Sequence, residues 1–65
     1  MFEMNKDYVF KKDLYWEDMS RFFVKASDWS EEVDGMPVIV VKGIGYVGPR
    51  NYIVHSGWCE EVQNG

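Results

Sequence analysis

The chain of 65 residues holds one cysteine, Cys59, one histidine, His55, and two prolines, Pro37 and Pro49. A single cysteine excludes an internal disulfide and points to a reducing cytosol rather than a small secreted scaffold. One cysteine and one histidine fall short of the ligand set of a structural zinc site, and the expectation is no metal and no cofactor. The longest unbroken apolar run, Pro37 to Val41, is far too short to span a bilayer, so no membrane contact is expected. No basic stretch leads into an apolar one at the N-terminus, so no signal peptide is read and the expected location is cytoplasmic. There is no Ser/Gly linker, no break in composition and no internal repeat, and residues 1–65 read as one small domain.

Aromatics, by contrast, are abundant. Phe2, Tyr8, Phe10, Tyr15, Trp16, Phe22, Phe23, Trp29, Tyr46, Tyr52 and Trp58 make up 17% of the chain. Side chains that each bury roughly 150–250 Å² can hold a short chain together, so a folded domain is expected rather than a disordered tail. Tyr8, Phe10, Ile39, Val41 and Ile53 are the expected core.

The net charge is −4, and its location is uneven. Between Glu17 and Asp34 stand Glu17, Asp18, Asp28, Glu31, Glu32 and Asp34 against only Arg21 and Lys25, which already gives −4. Elsewhere Glu3, Asp7, Asp13, Glu60 and Glu61 are balanced by Lys6, Lys11, Lys12, Lys42 and Arg50. An acidic face repels phosphates, so direct nucleic-acid binding is disfavoured. The same face suits a basic protein partner, mimicry of nucleic acid, or simple solubility.

Residues 7–12 alternate, with Tyr8 and Phe10 opposite Val9 and Lys11, and read as a first strand. Residues 13–36 form a long excursion of ambiguous local structure. Tyr15, Met19, Phe22, Phe23 and Ala26 fall at helical spacing with Asp13 as a cap, yet Arg21 to Lys25 also reads as a short strand. Ser30 to Val33 suggests one helical turn capped by Ser30, and Asp34-Gly35 is turn chemistry. Pro37 to Lys42 and Asn51 to Ser56 read as the next strands. Ser56-Gly57 turns the chain into a last strand, Trp58 to Val62. The expected fold is mainly β: a small barrel or a strongly bent antiparallel sheet, with room for one short helix in residues 13–34.

Gly43, Gly45 and Gly48 stand at the G-x-G-x-x-G spacing after a β-prone run, the opening half of a dinucleotide-binding fingerprint. That site needs a helix after the glycines, whose N-terminus holds the pyrophosphate. Here Pro49-Arg50-Asn51 and a strand follow. The expected role is a hairpin connection, with Pro49 stiffening the return.

One strand, a long excursion and then strands joined by tight turns is the order of an SH3-like small barrel. Lys11-Lys12-Asp13-Leu14-Tyr15 after the alternating strand, Gly35, the run Pro37 to Lys42, and Trp58 opening the last strand together resemble short phage-encoded proteins with SH3-like folds. The resemblance implies a phage context, a host protein as partner and the host cytoplasm as location. Leu14-Tyr15-x-x-Asp18 and Gly45 to Ile53 are also similar to the A-L-Y-D-Y and G-x-I-P-x-N-Y-V motifs of eukaryotic SH3 domains. That similarity implies a groove for proline-rich peptides built by Tyr15, Pro49 and Tyr52, with Glu17 and Asp18 as its acids. Gly48 is an insertion against that pattern, the tandem tryptophan is missing, and the chain runs a full strand past Tyr52.

Catalysis has little support. His55 and Cys59 lack an oxyanion arrangement. Glu60 and Glu61 point to opposite faces of a strand and make no acid–base pair. A non-enzymatic protein-binding module is therefore the leading expectation: a phage accessory protein docking on and modulating or inhibiting a host protein. An acidic nucleic-acid mimic that blocks a host enzyme or defence nuclease, and a binder of proline-rich peptides, are the alternatives. The expected protein-binding residues are Tyr15, Trp16, Glu17, Asp18, Trp29, Glu31, Glu32, Asp34, Tyr46, Tyr52 and Trp58, because Trp and Tyr anchor interfaces and neighbouring acids suit a basic partner. A homodimer through an edge strand, with Trp58-Cys59 as the candidate, is a further expectation.

Overall fold

The computed structural model describes residues 2–62. Five strands form one antiparallel sheet: β1 (Asp7–Phe10), β2 (Pro37–Val41), β3 (Ile44–Val47), β4 (Tyr52–Val54) and β5 (Cys59–Val62), in the order β4-β3-β2-β1-β5. Between β1 and β2 lie helix α1 (Lys12–Arg21) and the single turn α2 (Trp29–Glu32), and a 3₁₀ turn, Ser56–Trp58, leads into β5. The sheet is antiparallel as expected but is not closed into a barrel, the first of the two forms expected: β4 and β5 are its two edges. The helical content also exceeds the one short helix expected, so the molecule is a mixed α/β domain.

The connection expected over Gly43 to Arg50 contains a strand of its own. Lys42 and Gly43 both adopt left-handed backbone, φ 52° and 81°, and Val41 pairs with Ile44 across them. This is a two-residue hairpin whose twist matches the strands it joins, and glycine is the residue that takes its second position without strain. Gly45 then sits inside β3, where a Cβ would overlap the Phe2 ring and approach Val38 Cγ1 to 2.9 Å. The glycine spacing that resembles a nucleotide fingerprint therefore serves a hairpin and a close packing contact, and no helix follows it.

Phe10, Tyr15, Val33, Val38, Val47 and Val54 form the core with Phe2, and Phe10 is wholly buried. Of the expected core, Phe10 is central and Tyr8 packs against it half-buried. Ile39, Val41 and Ile53 point the other way, with Ile39 63% and Ile53 66% exposed. The register fixes this phase. Tyr8 pairs with Val38 and Val38 with Val47, so these share the face that carries the core, while Ile39, Tyr46 and Ile53 pair in a row on the opposite face. Pro37 to Val41 is apolar at every position, so alternation alone leaves both phases open.

An aromatic cluster joins the helices to the sheet. Trp29 stacks on Tyr52 at 4.9 Å, and Tyr15 meets Trp29 at 5.0 Å and the edge of Trp58 at 4.7 Å. Phe10 lies 5.5 Å from Trp29. Among the described residues no buried side-chain nitrogen or oxygen lacks a partner.

The cap residues differ from expectation. Lys11 is the N-cap of α1 and Asp13 lies inside its first turn. The missing acceptor comes from 22 residues away, where Asp34 Oδ1 accepts from the Lys12 backbone N–H at 2.9 Å. Asp28 precedes α2, while Ser30 is buried inside the turn and does not cap it.

Candidate functional site

Helix α1 ends in a way that exposes apolar side chains. The Val24 N–H donates to Met19 O at 2.9 Å and the Phe23 N–H to Ser20 O at 3.1 Å. That pair of bonds is a Schellman closure, whose left-handed residue is ordinarily glycine. Here it is Phe23, with φ 57° and 98% exposure. A left-handed backbone costs a side-chain-bearing residue roughly 1–2 kcal/mol, and Phe23 gains no burial in return.

Phe23 does not stand alone. Phe22 and Val24 are exposed beside it, and Trp16 is 42% exposed two turns earlier on the same side. Trp16, Ser20, Phe23, Val24 and Asp28 border a shallow groove of about 600 Å³. Trp16 is held rigidly: its Nε1–H donates to Ser30 Oγ at 2.7 Å, and the Ser30 hydroxyl donates to Ser27 O at 2.8 Å. The Lys12 ammonium lies 5.3 Å from the Trp16 ring centroid. A fixed tryptophan has little conformational entropy left to lose on binding, which suits it to anchor a partner.

The expected binding residues divide into four groups. Tyr15, Trp29, Tyr52 and Trp58 belong to the aromatic cluster beneath the helices. Tyr15 is buried there, its hydroxyl accepting from the Ser27 N–H at 3.2 Å, so it has no open face to offer a proline-rich peptide. Asp18 and Asp34 are engaged within the fold, Asp18 Oδ2 accepting from Trp58 Nε1–H at 2.9 Å and Asp34 from Lys12. Trp16, Glu17, Glu31 and Glu32 remain at the surface of the helical excursion, with Glu17 paired to Arg21 at 3.8 Å. Tyr46 lies on the far face of the sheet, away from all of these, between Ile39 and Ile53.

Phe22, Phe23 and Val24 are the surface residues that sequence reasoning missed. Their signal is three consecutive apolar residues at a helix end, which a single buried stripe cannot accommodate.

The His55 ring and the Cys59 thiol each bond to backbone rather than to each other. Cys59 Sγ lies 3.5 Å from the backbone oxygen of His55, and His55 Nδ1 accepts from the Gly57 N–H at 3.0 Å. Burial pushes the Cys59 thiol up to about 11, which removes nucleophilic thiolate at neutral pH. Among the described residues no three His, Cys, Asp or Glu side chains converge as a metal site, and no helix is long and apolar enough to cross a membrane.

The chain matches no protein-family model, no curated protein and no solved structure.

Proposed function

We propose that this chain is a non-enzymatic protein-binding module, encoded by a phage, that docks on a bacterial host protein through the end of α1 and alters its activity. The observation that carries the reading is Phe23, a large apolar side chain kept fully in water on a strained backbone that glycine would relieve. Strain of this kind is retained where the exposed group has a use. The chain order, one strand, a helical excursion and then strands joined by tight turns, supports an SH3-like reading of the fold and with it the phage resemblance.

The partner's chemistry follows from the surroundings. Trp16, Phe23 and Val24 supply the apolar anchor, and the segment from Glu17 to Asp34 carries −4 around them. A basic surface with an apolar pocket is the complement: the charge speeds and orients encounter, and the aromatics hold the complex.

The test is affinity capture from bacterial lysate at low and high salt, comparing the native chain with Trp16→Ala and Phe23→Gly. Docking through aromatic anchors predicts a host protein retained at both salts and lost with either substitution. Capture of nucleic-acid-binding proteins at low salt alone, unaffected by either substitution, contradicts this reading and favours charge mimicry.

A further inference from the structure

We infer that the helix-free face of the sheet is a contact between two copies of this chain, related by a two-fold axis running along β2. Both helices pack on the other side, so this face has no cover among the described residues. Ile53, Tyr46 and Ile39 form one cross-strand row, and Val41 pairs with Ile44 beside it. The exposed members are β-branched aliphatics: Ile39, Val41, Ile44 and Ile53. Such side chains fill the space between packed sheets when two faces meet about 10 Å apart.

A second copy is the occupant favoured by symmetry and charge. β2 is the middle strand of five, so an axis along it sets Ile39 and Val41 against their own counterparts. The same axis exchanges the β4 side for the β5 side without shifting position along the strands. Glu60 pairs with Val9 and Val9 with Pro37, while Val38 pairs with Val47. The loop after Val47, which carries Arg50, therefore lies at the same end of the sheet as Glu60, on the opposite flank. The two-fold brings each Arg50 loop over Glu60 of the other copy, so opposite charges meet at both flanks of the contact.

The apolar area is on the order of the few hundred Å² typical of the largest patch on a monomer. Stable complexes bury roughly 800 Å² per partner. The dimer is accordingly weak, with a Kd on the order of 100 μM.

Sedimentation velocity on the full chain, from about 10 μM to about 1 mM, brackets that affinity. The expected result is a monomer converting to a dimer across the range. Ile39→Lys or Ile53→Lys weakens association at least about tenfold, with an unchanged circular dichroism spectrum because both positions are solvent-exposed. Arg50→Glu and Glu60→Arg each weaken it, and the two together restore it. A monomer throughout overturns the proposal. So does a dimer that Ile39→Lys and Ile53→Lys leave intact, including one dispersed by Phe23→Gly instead. A double exchange that fails to restore association overturns the two-fold alignment.

Discussion

Phe23 occupies the position where the end of a helix most favours glycine, and it keeps its ring in water. Replacing it with glycine removes left-handed strain and exposes no core. Phe23→Gly is therefore expected to stabilise the fold by about 1 kcal/mol, read as a higher urea midpoint with an unchanged slope. A lower midpoint would mean that the ring packs against the domain after all. Cys59 behaves in the opposite sense to a reactive thiol. Its ordinary value of 9.0 is raised to about 11 by burial, so the folded state keeps a proton that the unfolded state gives up in between. That contribution to stability is complete below pH 9 and is lost as pH climbs towards 11. Lys6 shifts upward as well, held as a cation first by Glu3 and then by Glu61, and it acts in the same direction at higher pH. Urea midpoints should fall progressively above pH 9. At pH 8 a thiol reagent should modify the native chain far more slowly than the unfolded one, and equal rates would contradict the burial of Cys59.

At the scale of elements, α1 depends on a residue outside itself. Asp34 supplies the acceptor that Lys11 lacks, and it ties the start of the helix to the turn before β2. Its charge also lies at the positive end of the helix dipole. Asp34→Ala should cost about 1 kcal/mol, and Asp34→Asn, which keeps the acceptor, should recover part of it. Denaturation of the two variants side by side checks this, and equal losses would show that the bond to Lys12 contributes nothing. Long-range capping of this kind explains much of what the sequence concealed. The strands at Asp7, Pro37, Tyr52 and Cys59 were legible, because alternation and turn residues mark them locally. Helix α1 was ambiguous, because the side chain that accepts from its first N–H is 22 positions away and its C-terminal turn lacks the glycine that normally signals an end. β3 was hidden by glycines: Gly43 before it and Gly45 within it read as a loop until Phe2 is seen filling the space above Gly45.

At the scale of the whole molecule, the two faces of the sheet have separate roles. One holds the aromatic cluster and both helices; the other is a row of aliphatics around Tyr46. The sequence carried the material for both faces but not their phase, since Val38 to Val41 is apolar throughout and only pairing with Tyr8 decides which residues turn inward. Exposure among the expected binding residues follows from the same phase. Trp16 and the carboxylates of Glu17, Glu31 and Glu32 lie at the surface, whereas Tyr15, Trp29, Tyr52 and Trp58 serve to join helix to sheet. Composition gave the number of aromatics, and only the fold sorts them. On the proposed reading, stability and binding draw on different residues, and Phe23 separates the two. The decisive measurement is capture from bacterial lysate at high salt with the native chain and Phe23→Gly as parallel baits. Loss of the retained host protein by a variant at least as stable as the native chain is the expected result. Equal retention by both baits would contradict docking through the end of α1.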